Sequence, residues 1–586
     1  MGGSNPQQKQ KSLSDYKVVI AYDFGTTYSG AAYAFTNSTP IEVFDIQNWP
    51  HKSGNFYPKV PTVSVYSRQN NLFNKRLTLS EWGHGAKKVA LKPDVAKQYS
   101  IFLSQFKLHL DESLKRPPLK NGLTPVQVVA DYLAMLHKHT LQELSLGFAN
   151  NYDPDTFRYC LTVPALWSDK AKHLMRQAAI QAGLITPSDP PDRLTLISEP
   201  EAAAIYCEET MADQVSLKDN DRFMVCDAGG GTVDLIVFQV NYTDDGSDDS
   251  NQEVAKGMGE SCGSVFLDNH YRELLEAKLG TKLMSKITQR EMNGMMEYFL
   301  GTVKPEFNGV DDFFLELPRS VKLDELPLSV RDHDDEGYLE EGILKLSADE
   351  LKKQVFDPVI DKVLSLIEQQ YQQISGGRLD SLFLVGGFGS SKYLQQRVRK
   401  EFQGSKVNQI VCPAERTALA VVRGAVYHGI NSGAIVSRIS RRTYGINRNM
   451  PFDDKIDPPS LRWKHPDGKV VCQDRFHVFV EKSNELPVDQ CVQDTLYIHY
   501  GTQKYVSVDL FATENSTIPR YTHDPGVHCI ARMAIRIPKI PNAKKKEKIY
   551  FTVRMYFGRT EIRMEVEFSN GIKFDVKSNF DGTLKK

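Results

Sequence analysis

FMVCDAGGGTVDLIVFQV, residues 223–240, decides how the rest of the chain is read. The apolar run Phe223, Met224, Val225, Cys226 is the pattern of a buried strand, and it delivers Asp227 to a sheet edge. Gly229, Gly230 and Gly231 follow, then Leu235 to Val240 carry the chain back, which predicts a hairpin whose turn is almost bare backbone. Glycine amides can converge on a phosphate because no Cβ stands in the way, and each charge-assisted bond of that kind contributes roughly 1.5–3 kcal/mol. Asp227, Asp234 and the hydroxyl of Thr232 flank the turn. Acids beside a phosphate repel it unless a cation lies between them, so the pattern asks for a divalent metal, Mg2+ keeping its waters.

The same grammar occurs near the start of the chain. Val18 to Tyr22 run into Asp23-Phe24-Gly25-Thr26-Thr27, and a strand-like stretch returns from Gly30 to Phe35. A single glycine turn is as often a tight turn and nothing more. Two turns with matched acids predict an α/β chain whose nucleotide-binding domain is duplicated, the nucleotide held between the halves.

Composition bounds the alternatives. The 586 residues are 41% hydrophobic and 25% charged with net charge -1, ordinary for a globular protein of two to four domains, and near-neutrality argues against general nucleic-acid binding. Lys544-Lys545-Lys546 is followed by Glu547 and reads as a solvated loop. No apolar run approaches bilayer length, and residues 1–15 are polar, expected to be disordered and unlike a signal peptide; Pro6 stands where a myristoylation signal needs Ser or Thr. The eight cysteines form no CxxC pair and read as reduced core residues, which fits a cytoplasmic protein, with the nucleus as a second compartment. Without a signal peptide the Asn-x-Ser/Thr matches at Asn37, Asn241 and Asn515 are chance.

Along the chain, Gln105 to Leu110 alternates, placing Phe106, Leu108 and Leu110 on one strand face and Lys107 with His109 on the other, so Lys107 alone reads as a solvated strand lysine. Thr124-Pro125 opens a helix to about Leu146 on which His137 and His139 occupy different faces, against a metal site. Tyr159 to Ala165 reads as a buried strand, Asp169 to Gln181 as a helix capped by Ser168, and Leu194 to Ile197 as a strand leading through Ser198-Glu199-Pro200 to a helix over Glu201 to Glu208. Glu199 thus lies at the carboxyl end of a strand, where open α/β sheets place ligand chemistry. Asn241 to Asn251 is expected as an acidic loop, and Cys262-Gly263-Ser264 as a helix start. Residues 280–330 read as mainly helical with a strand or two, Ser347 to Glu350 as a capping box, and Ser381 to Val385 as a strand running into Gly386-Gly387-Phe388-Gly389-Ser390 and a helix, a place for phosphate, ribose or base. From about Asn447, alternation at Phe476, Val478, Val480, at Val506, Val508, Leu510 and at Ile562, Met564, Val566 predicts a separate antiparallel β domain.

DFGTTYSG, LTVPA, LISEPEAAAIY, CDAGGGTVDL and LVGGFGSSKYL together resemble, in order over residues 17–430, the nucleotide motifs of the 70-kilodalton heat-shock chaperones, whose ATPase domain shares the actin-like (ribonuclease H-like) fold. CGSVFLDNHYRELL, ALAVVRGAVYHG and RRTYGI resemble the divergent 12A and 12B branch. The resemblance implies disordered residues 1–15, a two-lobed ATPase domain over 16–431 with its second lobe from about 223, a linker at 432–446 and a β-rich client-binding domain over 447–586. It implies ATP or ADP with Mg2+ held through Asp23, Glu199 and Asp227; phosphates faced by Gly25, Thr26, Thr27, Gly229, Gly230 and Gly231, with Tyr28 and Gly263 beside them; and Lys107 reaching the γ-phosphate. Thr232 and Asp234 would orient the attacking water, and Lys304, Gly386, Gly387, Phe388 and Ser390 would serve the adenosine. The chain departs from that pattern at Pro305, where a second basic residue is usual, at Ala414, where an acid is usual, in the polar stretch Ile435 to Ser440, and after Phe574 to Phe580, where no helical lid or acidic co-chaperone-binding tail is read. Without a lid, peptide clients would leave quickly in both nucleotide states. The implied function is a slow ATPase of chaperone type with possible co-chaperones; the alternatives are a nucleotide-dependent binding or signalling module with little hydrolysis and, third, a small-molecule kinase of the same superfold.

Overall fold

The computed structural model describes residues 15–52, 57–68, 77–90, 100–147, 152–211, 215, 217–242, 250–322, 339–340, 342–413, 417–464 and 468–576. The N-terminal segment expected to be disordered, most of the acidic stretch after Asn241, and Ala414 lie outside them. The chain divides into two compact units: Met1–Leu166, Leu174–Tyr242 and Gly257–Ala434 form one, and Trp167–His173, Thr243–Lys256 and Ile435–Lys586 the other.

In the first unit, β1 (Val18–Phe24) and β2 (Tyr28–Phe35) form an antiparallel hairpin in which Asp23 stands opposite Gly30, and β3 (Val60–Pro61) pairs with β2 beside the turn. Helix α1 (Pro125–Gly147) starts at Thr124, whose Oγ1 accepts from Gln127 N–H at 3.3 Å. Then come β4 (Phe157–Val163), β5 (Leu194–Ser198) and α2 (Glu199–Met211). The second half repeats this plan. β6 (Arg222–Ala228) and β7 (Val233–Asn241) form a hairpin with Asp227 opposite Asp234, α3 (Val265–Leu279) follows, and β8 (Ser381–Val385), β9 (Gln409–Val411) and α4 (Ala420–Ile430) complete it.

The strands run β2-β1-β4-β5 in one sheet and β7-β6-β8-β9 in the other, and in each the acid-bearing strand pairs antiparallel on one side and parallel on the other. Every residue of β1 and β4 is buried, as expected of parallel neighbours covered on both faces, and this is why they read as unbroken apolar runs. Helices α2 and α4, which end the two halves, touch backbone to backbone: a Cβ on Gly424 would lie 1.6 Å from Ala202 O. The Ala202-Ala203-Ala204 run and Gly424 are small for this reason.

Three local expectations are corrected. Residues 106–110 are a 3-10 helix, Phe106–Leu110, and the strand lies before it at Ser100–Ser104. Gln105 at φ 54 turns the chain out of the strand, and Phe106, Lys107, Leu108 and Leu110 are all buried, so the apparent alternation had no solvent face behind it. The helix expected from Glu201 begins at Glu199. Residues 432–446, expected as a linker, contain the strand Ile435–Ile439, which pairs with Glu485–Pro487, and the start of the long strand Thr443–Pro451 of the second unit.

That second unit carries two antiparallel sheets. One holds Arg462–Lys464, β11 (Val470–Val480), β10 (Thr443–Pro451), β13 (Tyr505–Thr513) and β14 (Val527–Arg536) in that order; the other holds β12 (Cys491–His499), β15 (Lys548–Tyr556), β16 (Arg563–Phe568) and β17 (Lys573–Val576). Ile446, Leu510 and Met533 of the first pack with Phe551, Val553 and Val566 of the second in one apolar core, the arrangement of a β-sandwich. Among the described residues no helix is long and apolar enough to cross a membrane.

Candidate functional site

The two glycine turns meet. A Cβ at Gly230 would lie 2.3 Å from Thr27 Oγ1 and one at Gly231 2.6 Å from Thr26 Oγ1, so only glycine lets the second turn approach the first this closely. Gly25 is fixed inside its own turn, 2.2 Å from Tyr28 O to a Cβ placed on it. Behind the second turn, at the start of α3, the amides of Gly263, Ser264 and Val265 donate to the carbonyls of Gly231 (3.1 Å), Gly229 (3.1 Å) and Gly230 (2.9 Å). A Cβ on Gly263 would lie 2.6 Å from the carbonyl carbon of Gly230. Gly263 therefore braces the turn from behind. Gly229 N–H closes the turn on Thr232 O at 3.0 Å, while the N–H groups of Gly230 and Gly231 have no partner among the described residues and are what the turn can offer an anion.

Around the turns stand four buried acids, Asp23, Glu199, Asp227 and Asp234, and two buried lysines, Lys59 and Lys107. Lys107 is 1% exposed and paired with Glu199, so the solvated reading of this lysine is overturned: the fold removes it from water and gives it a carboxylate. Glu199 is held in the first turn of α2 by a capping box, with Ser198 N–H donating to Glu201 Oε2 at 3.1 Å and Glu201 N–H to Ser198 Oγ at 3.4 Å. Asp23 has both oxygens engaged, Oδ2 by Lys59 Nζ at 2.5 Å and Oδ1 by the Thr162 hydroxyl at 3.1 Å. Asp234 Oδ1 accepts from Ala165 N–H at 3.1 Å. The Asp227 carboxylate has no hydrogen bond or ion pair among the described residues.

Burial pushes the Asp227 carboxyl well above the usual range, and the charges of Glu199, Asp234 and Asp23 push it further, against Lys59. Burial also raises Glu199; Lys107 opposes this, and Asp23 and Asp234 reinforce it. Four carboxyl groups outnumber the two ammonium groups, and the mismatch falls hardest on Asp227, which holds its proton well above the usual carboxylate range until a cation arrives. Among the described residues no three His, Cys, Asp or Glu side chains form a ready metal cage. The donor set instead fits Mg2+, which takes one or two carboxylates and completes its octahedron with water and phosphate oxygens.

The third glycine turn lies against the second. Gly386, at φ 84, would carry a Cβ 2.3 Å from Asp227 Oδ1, and one on Gly387 would lie 3.3 Å from the Tyr57 hydroxyl. Tyr57 in turn meets Tyr28 edge-on, ring centres 4.7 Å apart. Ser390 donates to Gly387 O at 2.7 Å, and Phe388 is a core side chain, 3% exposed. Lys304 is paired with Asp268 at 2.6 Å; burial lowers the lysine and raises the acid. Sequence reading missed Lys59, Tyr57 and Thr162. Lys59 falls in the aperiodic stretch Asn48 to Thr62, whose only trace of it is a single charge in Pro58-Lys59-Val60-Pro61.

Residues 217–411, from just before β6 through β9, match the family described as "Domain of unknown function (DUF8340)". Along nearly the whole chain there is similarity to heat shock 70 kDa protein 12A of Homo sapiens, 25% identical over 98% of this chain and 92% of that protein, and to heat shock 70 kDa protein 12B of Homo sapiens, 25% identical over 96% and 89%. Chaperone protein DnaK of Prochlorococcus marinus (strain MIT 9515) is 26% identical over 54% of this chain and 44% of its own length.

Proposed function

We propose that this chain, similar along its length to the divergent 12A and 12B branch of the 70-kilodalton heat-shock proteins, is a slow Mg2+-dependent ATPase on a duplicated actin-like fold, with its C-terminal β unit binding peptide or protein clients. The observation that carries the reading is the meeting of two glycine turns from two sheets of the same strand order, each with a buried aspartate at the end of its first strand. In this reading the N–H groups of Gly230 and Gly231 and the hydroxyls of Thr26 and Thr27 bind phosphate oxygens, and Asp227 would hold Mg2+, which would supply the positive charge this carboxyl lacks and polarise the terminal phosphate. Lys107, oriented by Glu199, donates to the transferred phosphoryl group, and Asp234 with Thr232 orients the attacking water. Gly386, Gly387 and Ser390 border the adenosine, which Lys304 reaches only by giving up Asp268. A cytoplasmic location and co-chaperone partners go with this reading. Single-turnover hydrolysis of ATP with Mg2+ tests it: slow turnover is expected, falling about a hundredfold or more in Asp227→Ala and Lys107→Ala, variants checked for folding by circular dichroism. Turnover unchanged in both folded variants overturns it.

The buried Lys107–Glu199 pair favours a second reading, a nucleotide-dependent binding module, because a lysine already committed to an acid is less available to the phosphoryl group. Tight ATP binding with no ADP formed would decide for it.

A further inference from the structure

Lys59 is placed as deliberately as the acids are. Strand β3, which begins at the next residue, pairs with β2, Tyr28 opposite Pro61 and Ser29 opposite Val60, so the lysine stands directly beside the first glycine turn. Thr62 N–H donates to Thr27 O at 2.8 Å, the hydroxyls of Ser29 and Thr62 share a hydrogen bond of 2.8 Å, Tyr132 donates to Pro61 O at 3.0 Å, and Trp49 Nε1–H donates to Pro58 O at 2.7 Å. The stem crosses Gly30, where a Cβ would lie 3.2 Å from its Cγ. The side chain is 10% exposed, and its one partner among the described residues is Asp23. An ammonium group carries three N–H donors, so two have no partner among the described residues, in a place where unmatched donors are costly. An ion pair serving only to hold Asp23 would have no use for them.

Resting on the nucleotide reading above, we propose that Lys59 is a second phosphate-binding cation of this site. It keeps Asp23 neutralised and donates its remaining N–H groups to the nucleotide's phosphates, so that Asp23 is not free to serve the metal and binding of a nucleoside diphosphate does not depend wholly on Mg2+. Lysine suits the role as a compact point charge. The substrate class this favours is one with at least two phosphates, since adenosine alone gives the lysine nothing to bind.

The test is calorimetric binding of ADP and of adenosine to the full chain, in Mg2+ and in EDTA. Wild type is expected to retain ADP in EDTA. Lys59→Met is expected to lose about tenfold or more of that metal-free affinity, the worth of one hydrogen bond to a charged group, with adenosine binding unchanged and Lys59→Arg partly restoring ADP. If Lys59→Met does not fold, Asp23→Asn is compared with Asp23→Asn/Lys59→Met, and the same loss is expected between those two. Equal metal-free ADP affinity with and without Lys59 overturns the proposal. So does wild type that binds ADP in Mg2+ but not in EDTA, an outcome that leaves the nucleotide reading standing. Absence of nucleotide binding in both buffers removes both.

Discussion

The two halves of the first unit share strand order and hairpin register, yet they treat their aspartates differently. Asp23 has a lysine and a threonine on its carboxylate; Asp227, at the matching place in the other hairpin, has neither. The difference shows that duplication of a backbone plan does not duplicate its electrostatics. One half arrives with its charge compensated, and the other relies on what it binds.

The largest effect separates the two acids. Asp23→Asn strands Lys59 in a buried place and is expected to cost about 3–5 kcal/mol in urea unfolding. Asp227→Asn should do the reverse in the ligand-free protein. Because the folded state raises the Asp227 carboxyl, wild type loses stability as pH rises through that raised value, whereas the amide does not; the variant's advantage should be clear at pH 8 and fade toward pH 4. Equal losses from both substitutions would break the comparison.

The next effect lies behind the hairpins. In the first half Tyr22 OH meets His137 Nδ1 at 2.7 Å, and burial, with the charge of Arg193, pushes the imidazole down to about 4. The matching residue of the second hairpin is Cys226, buried and not titrating in this range. A histidine lowered on folding contributes stability above its unfolded value near 6.5 that is lost as pH falls toward 4, about 3 kcal/mol in full. Urea titrations at pH 7 and pH 4 should show that loss in wild type and much less of it in His137→Gln. The smallest effect sits at the helices that end the halves. Ser198 caps α2, whereas Leu419 gives α4 no side-chain cap. Ser198→Ala should therefore cost about 1 kcal/mol and shift Glu199, read as weaker binding of ADP.

Both hairpins were legible because everything that defines them, apolar run, acid, glycines and returning run, is contiguous. Glu199 was legible for the same reason, standing where a strand passes into a helix. Lys59 was not, since its meaning comes from pairing with a strand and an acid far away in sequence. The strand Ser250–Glu260 was also missed, and its pattern explains why: Asn251, Glu253 and Ala255 face inward while Val254 is only partly covered, so hydrophobicity alternates weakly and in the wrong sense. Glu253 is tolerated there because its carboxylate accepts from Ile439 N–H at 2.9 Å, a partner in the stretch read as a linker. Polar residues with distant partners look like loops until the partner is found.

The backbone contact between Gly424 and Ala202 bears on how this chain can drift. With a carbonyl oxygen where a side chain would begin, position 424 admits no residue but glycine unless a whole helix moves, and such a move would have to be matched in the other half at once. The halves can accumulate differences in lysines, caps and loops, but at this crossing their histories are tied together. A saturation library should show position 424 rejecting even alanine, while half-buried Tyr427 on the same helix accepts many substitutions.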